Sequence, residues 1–237
     1  MNKGHTIKVL DKGYVRFIDN FGDDKRIVES ARISYKSPSK GDEQDKKLLF
    51  YLWKNRHTSP FEQNSITYNI KLPLFVQAHL VRHRTQRLNQ VSARYTEMVD
   101  EFYIPKEWRK QDTKNKQSSV NDKSIMLREH YESLTANTYK LTEALEDICK
   151  NSYELYQKML ESGVSREMAR MVLPQNLYTE IYSNWDLNNL MKFFSLRIND
   201  HAQEETRVYA QAMYDIFKEL YPWCAEAYEK YKWKLIE

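Results

Sequence analysis

Within twenty residues the chain changes its hydrophobic period, and that change limits the folds open to it. Residues 65–72 alternate with a period of two (Ile66, Tyr68, Ile70 and Leu72 on one face) and are rich in β-branched and aromatic side chains, the pattern of a half-buried strand. Pro73 closes that run, and from Leu74 the apolar positions Leu74, Ala78 and Val81 recur at helical spacing. A strand that passes straight into a helix requires an architecture that packs both kinds of element. The helix ends in Arg82, His83 and Arg84, followed after seven residues by Ser92 and then Arg94 and Tyr95. Cations suit a last helical turn, but that effect does not account for a third arginine and a hydroxyl downstream. Such a set calls for a polyanionic ligand.

The flanking sequence predicts more helix than sheet. Strand-like runs at 6–10 and 14–18 form an expected edge hairpin, and helical stretches at 26–33 and 45–53 are joined by a turn at Ser37, Pro38 and Ser39. Residues 106–123 are polar and lysine-rich without apolar periodicity, as expected of a mobile surface loop. A helical seam then runs through Leu134, Leu141, Leu145, Ile148, Leu155 and Met159 and closes at Gly163. Ser165 is expected to cap a short helix carrying Arg166 and Arg170, stopped by Pro174. A strand at 177–182 leads to Asp186 and a helix through Leu187, Leu190, Phe194 and Arg197, with final helices at 204–220 and 225–234.

Arg197 falls on the apolar face of its helix, a costly place for a guanidinium unless a carboxylate or an anionic ligand satisfies it. It is therefore a candidate site residue. His57, Thr58, Ser59, Pro60, Phe61 and Glu62 read as a capping box, with Ser59 as N-cap, Pro60 at N1 and Glu62 at N3. The same helix start offers N–H groups to an anion, with His57 just before it, and both readings stand.

Several chemistries lack their residues. Neither GxGxxG nor GxxxxGK[ST] occurs, and the 237 residues include only 5 glycines. Ser92 is not in a GxSxG elbow and reads as one more donor around a phosphate or heterocycle. His79 and His83 have a metal-chelating spacing, but Leu80 stands where the HExxH pattern needs Glu, and no metal is expected. A net charge of +4 is short of a nucleic-acid footprint, so no nucleic-acid partner is expected. Cys149 and Cys224 lie far apart and outside any CxxC pattern, as in a cytoplasmic protein, and neither a signal peptide nor a membrane span is expected.

Arg82-His83-Arg84, seven residues, then Ser92 with Arg94 resembles the signature of the flavin-dependent thymidylate synthases. The 57–62 stretch resembles that family's upstream motif. Arg170 with Leu173 to Tyr178, and Ser195 to Arg197 with Asp200 to Gln203, resemble later blocks in the same order. The resemblance implies an α+β fold of the thymidylate synthase-complementing type. That fold is a single domain over 1–237 with a central, mainly antiparallel sheet flanked by long helices and a family-variable surface loop at 106–123. It implies reductive methylation of dUMP at C5 to dTMP, with 5,10-methylenetetrahydrofolate as carbon donor, NADPH as reductant, FAD as redox carrier and no cysteine nucleophile. A homotetramer with active sites shared between subunits is implied as well.

By the same resemblance, His79, Arg82, Gln90, Ser92, Ala93, Arg94, Arg170 and Arg197 bind dUMP, with Arg197 catalytic in favouring ionisation at N3. Ser59, Arg82, His83, Arg84, Thr85, Gln90, Asp186, Asn188 and Lys192 hold FAD, and His57 lies toward the folate and NADPH side. Four positions depart from the commoner family pattern. These are Gln90 where Glu is usual, His79 for Gln, Gln63 for His, and Lys192 for His or Asn.

Overall fold

The computed structural model describes residues 1–116, 119–121 and 141–232. They form two compact units. The first takes Met1–Lys71, Ala78–Gln90 and the residues from Glu180 on; the second takes Leu72–Gln77 and Val91–Thr179.

A five-stranded sheet organises the fold, ordered β1 (Thr6–Val9), β2 (Gly13–Phe21), β3 (Ser65–Pro73), β7 (Tyr178–Asp186) and β4 (Arg87–Gln90). β1 with β2, β2 with β3 and β4 with β7 all pair antiparallel, so the expected α+β class with a mainly antiparallel sheet is what the chain forms. The alternation seen in the sequence sets the register. Tyr14 faces Lys71 and Val15 faces Ile70, which buries Val15, Phe17, Ile66, Tyr68, Ile70 and Leu72.

Helices α1 (Asp24–Arg32), α2 (Asp42–Lys54), α7 (Leu187–Arg197), α8 (Glu204–Leu220) and α9 (Pro222–Lys230) belong to the first unit with the sheet. α8 contributes Tyr209, Ala210, Met213, Ile216 and Phe217 to the core. It is tied to β3 by polar tips on buried rings: Tyr68 donates to the Met213 carbonyl at 3.1 Å and Tyr209 to that of Lys71 at 2.7 Å. Tyr209 comes so close to Gly13 that a Cβ there would collide with its hydroxyl, which explains glycine at the start of β2.

α9 is capped from a distance. Asp24, at the other end of the sequence, accepts from the backbone N–H groups of Trp223 (2.8 Å) and Cys224 (3.1 Å). This cap, with Pro222 in the first turn, starts the helix three residues before the expected 225. Residues 233 and 234, expected in that helix, lie outside the described residues.

The second unit packs α5 (Leu141–Glu161) and α6 (Arg166–Ala169) around Met98, Phe102, Cys149, Tyr156, Ala169 and Leu177. The apolar seam differs from the expected one. Ile148 and Leu155 are 59% and 49% exposed, whereas Cys149 and Tyr156, one position on, are buried. The phenol decides the rotation, because Tyr156 receives a hydrogen bond from the Met98 N–H at 3.1 Å while Tyr153 donates to the Met98 carbonyl at 3.0 Å. Leu134 lies outside the described residues. Ser165 occupies the N-cap of α6 without a side-chain bond, and Arg170 lies past that helix in a 3-10 turn. In the polar 106–123 stretch, β5 (Arg109–Gln111) and β6 (Ser119–Asn121) pair as an antiparallel ribbon, a regular element where only a loop was expected. Arg109 Nε donates to Ser119 Oγ across it at 3.0 Å. Residues 117, 118, 122 and 123 of that stretch lie outside the described residues.

One buried ion pair fixes the connection between α1 and α2. Arg32 donates through Nη2 (2.5 Å) and Nε (3.1 Å) to Asp45, whose other oxygen accepts from Ser39 at 2.5 Å. Both partners are buried, so truncating one leaves the other charge stranded. Arg32→Met is expected to cost about 3 kcal/mol in urea unfolding. Arg32→Met combined with Asp45→Leu should cost less than either single change; additive losses would show that the pair is not coupled.

Candidate active site

α4 (Leu74–Leu80) follows Pro73 directly, its first N–H groups donating to the carbonyls of Leu177 (from Leu74) and Gln175 (from Phe75) at 3.0 Å each. The helix stops at Leu80, so Arg82, His83 and Arg84 occupy the turn that leads to β4. His79 is therefore on the helix and His83 is not. The i,i+4 helical face that a chelating pair would need does not form.

The two imidazoles have different partners. His79 Nδ1 lies 2.9 Å from the hydroxyl of the buried Thr206, in the first turn of α8. His83 Nε2 lies 3.1 Å from Arg197 Nε, at the end of α7. Arginine keeps its protons, so Arg197 donates and Nε2 of His83 accepts, which puts the imidazole hydrogen on Nδ1. The His83 ring packs edge-on to Phe193 (4.9 Å between centroids, 86°) and against Trp185 (6.0 Å, 52°), and these two rings contact each other at 5.0 Å. Burial first, and the Arg197 charge second, lower the pKa of His83 to about 4; the same causes in the same order lower that of His79.

Arg197 is half-buried, and burial lowers its pKa as well. Among the described residues no carboxylate pairs with it. A carboxylate or an anion is expected at this position from the sequence; the protein supplies a neutral imidazole to Nε, and among the described residues no hydrogen bond engages either Nη group. Arg82 and Arg84 are exposed on their turn, also without an acidic partner among the described residues. Thr85 is exposed beside them, and Gln90 ends β4 opposite Ile181.

The start of α7 is built by Asp186, which accepts from the Asn189 backbone N–H at 2.9 Å and its side-chain amide at 2.8 Å. Asn188 is buried and donates to Glu62 at 2.8 Å, while its Oδ1 has no hydrogen-bond partner among the described residues. Lys192 is partly buried one turn further along. The capping box expected at 57–62 is not formed. Helix α3 (Ser59–Glu62) has Thr58 at its N-cap without a side-chain bond, Ser59 is exposed inside the helix, and Glu62 is engaged with Asn188 instead of turning back on its own helix start. His57 is exposed, its ring 5.9 Å from that of Tyr51.

In the second unit, Ser92 Oγ accepts from the Arg94 backbone N–H at 3.3 Å, and the Arg94 guanidinium lies over the Tyr95 ring and donates to its hydroxyl at 3.1 Å. Ala93 is partly buried between them in sequence. Arg170 is exposed, with Nε bonded to the Glu167 carbonyl at 3.3 Å. The sequence does not single out Thr206, Trp185 or Phe193, and it presents Glu62 as a cap rather than as the partner of Asn188. Of those three, only Trp185 left a signal, as the last apolar position of an alternating run.

Neither thiol is placed for attack. Cys224 is fully buried, and burial followed by the neighbouring Asp24 pushes its pKa well up. Cys149 is buried against the Asn176 amide at 3.2 Å. Among the described residues no helix is long and apolar enough to cross a membrane.

These features define an enzyme-like α+β protein whose reactive equipment is cationic rather than nucleophilic. Residues 16–223 match the family model described as thymidylate synthase complementing protein. Flavin-dependent thymidylate synthases of Thermosipho africanus and Thermus thermophilus are 41% and 44% identical to the chain. The matches cover 96% and 95% of this chain, and 95% and 79% of those proteins. The structure of the UMP/dUMP methylase PolB from Streptomyces cacaoi, bound with 5-Br dUMP, superposes with a TM-score of 0.81 at 29% identity, over 95% of this chain and 98% of that one. The chain belongs to the flavin-dependent thymidylate synthase family, whose other description is thymidylate synthase complementing protein. It is an enzyme with the fold of that family.

A neutral His83 links folding to pH. Its folded pKa of about 4 lies below the unfolded value near 6.5, so the unfolded chain binds the extra proton between them. The contribution is present above about pH 6.5 and is lost as pH falls toward 4. Allowing for solvent screening of a partly exposed ring, on the order of 1–2 kcal/mol is at stake. Urea unfolding of the wild type and of His83→Asn across pH 7 to about 4 should show a shallower pH slope in the variant; equal slopes would place the titration elsewhere.

Proposed function

We propose that the chain is a flavin-dependent thymidylate synthase, its 237 residues acting as one catalytic domain. In this reading it methylates dUMP at C5 to dTMP, with 5,10-methylenetetrahydrofolate as carbon donor, NADPH as reductant and FAD as the flavin, as a cytoplasmic homotetramer with shared active sites. The observation that carries the reading is Arg197, a half-buried guanidinium with no carboxylate to neutralise it and no hydrogen bond on either Nη group among the described residues. The name of the relatives supports a flavin, and the methylase PolB, solved with a brominated dUMP, supports a pyrimidine nucleotide.

The residues fit such a cofactor. Arg82 and Arg84 have no acidic partner among the described residues and can offer their guanidiniums to a pyrophosphate, and Asn188 Oδ1 is a buried acceptor without a donor among those residues, at the turn that also holds Asp186. In this reading Ser59, Arg82, His83, Arg84, Thr85, Gln90, Asp186, Asn188 and Lys192 hold FAD, and His57 serves the folate and NADPH side. The flavin, when bound, supplies the redox chemistry that carries reducing equivalents from NADPH to the pyrimidine.

The chain's own residues bind and polarise the nucleotide. Arg82, Ser92, Arg94 and Arg170 supply cations and a hydroxyl for dUMP, joined by His79, Gln90 and Ala93. Arg197 stabilises negative charge on the uracil edge at N3, and a guanidinium does this without losing its proton. A partly desolvated site strengthens that interaction. No protein thiol takes part.

The purified protein, reconstituted with FAD, should show flavin absorption that bleaches with NADPH and returns when dUMP and the folate are added. Failure to retain flavin would reject the reading. Arg197→Ala should lower kcat on the order of 10² to 10³-fold, as loss of a charge-stabilising donor does. Cys149→Ala and Cys224→Ala should keep activity provided they fold, and loss in either folded variant would restore a cysteine mechanism.

A further inference from the structure

We propose that His83 is the positioning residue of Arg197, a neutral acceptor that orients the guanidinium while leaving its full positive charge for the pyrimidine. The proposal rests on the functional reading above and adds to it a duty for His83 distinct from holding flavin.

Three observations carry it. First, the bond runs from Arg197 Nε to His83 Nε2 at 3.1 Å, and among the described residues it is the hydrogen bond that the Arg197 side chain makes. The guanidinium is planar, so fixing Nε on one side sets the direction of the Nη pair on the other. Second, the acceptor is itself held in place. Phe193 sits edge-on to the imidazole and Trp185 packs against it, while the His83 backbone N–H is bonded to the Leu80 carbonyl at 3.0 Å. Phe193 and Arg197 are four apart on α7, so one helix carries both the arginine and a wall of the ring that orients it. Third, the acceptor carries no charge. An aspartate or glutamate at this place would form the commoner bidentate pair and cancel the cation before substrate arrived. A neutral imidazole accepts one hydrogen bond and cancels nothing. His79, the second imidazole that senses the Arg197 charge, is bonded to the neutral hydroxyl of Thr206. Among the described residues, then, the group bonded to the guanidinium is a neutral acceptor and no counter-ion pairs with it.

The test compares FAD-loaded wild type with His83→Gln, His83→Ala and His83→Glu. Flavin content is read from absorbance, dUMP affinity from calorimetry, and kcat and KM from turnover. Gln places a neutral acceptor near the position of Nε2 and should keep dUMP affinity close to wild type. Ala should weaken it by about 10 to 100-fold, the usual range for losing a charge-assisted hydrogen bond. Glu preserves an acceptor but neutralises the cation, and should be at least as damaging as Ala. The preference for 5-fluoro-dUMP over dUMP, which follows the greater acidity of its N3, should shrink in Glu and persist in Gln. Equal dUMP affinity in all three variants would overturn the positioning role, as would a Gln variant no better than Ala at full flavin content. Loss of flavin from all three would also overturn it, leaving His83 a cofactor ligand only. A wild type that holds FAD yet binds no dUMP would overturn the functional reading and this proposal together.

Discussion

The hydrogen bond from Arg197 to His83 is the interaction on which the candidate site depends, because it joins the end of α7 to the turn after α4 through groups that burial makes costly. A half-buried guanidinium needs an acceptor, and a half-buried imidazole avoids a second positive charge. Each helps the other: burial first and the arginine's charge second hold the imidazole neutral, and the neutral imidazole can accept from the arginine. The cost is a cation without a counter-ion among the described residues, and that charge is what a ligand of opposite sign can use.

The surrounding structure keeps this pair in place with aromatic rings rather than with charges. Trp185 is the penultimate residue of β7, Asp186 ends that strand and caps α7, and Phe193 lies two turns along that helix. Strand, cap and helix therefore deliver a ring, a helix start, a second ring and the guanidinium in one continuous stretch of thirteen residues, 185–197. Further along, Phe194 packs on Tyr214 and Phe217 of α8 at 5.3 and 5.4 Å between centroids, which anchors α7 from the opposite side. The abundance of aromatic residues finds its use here as core, with the hydroxyls of Tyr68 and Tyr209 satisfied by backbone carbonyls.

Periodicity made most of the fold legible. The alternation at 65–72 is β3 and the helical repeat at 204–220 is α8 to the residue, because both elements bury one face and expose the other. What failed were inferences from local polar chemistry. Ser59 and Glu62 have the spacing of a capping box, yet Glu62 is engaged by Asn188 from 126 residues away. Nothing local to α9 announces its cap, because Asp24 supplies it from 200 positions earlier. α5 shows the same limit: Ile148 and Leu155 are as apolar as a core requires, but phenol hydrogen bonds turn Cys149 and Tyr156 inward instead. Arg197 was legible as a misplaced charge, while its partner was not, since no spacing rule couples residues 83 and 197.

The absence of a usable thiol follows from the same packing. Cys224 sits in the first turn of α9, where Asp24 accepts from its backbone N–H; that carboxylate, in an apolar setting, opposes ionisation of the thiol. An N-terminal helix position ordinarily favours a thiolate. Here burial and the capping carboxylate both work against it, so the helix start that could have activated a cysteine instead holds it protonated in the core. Activation of a pyrimidine by this chain is therefore left to charge, and among the described residues Arg197 and the arginines of the 82–84 turn are cations that no carboxylate pairs with.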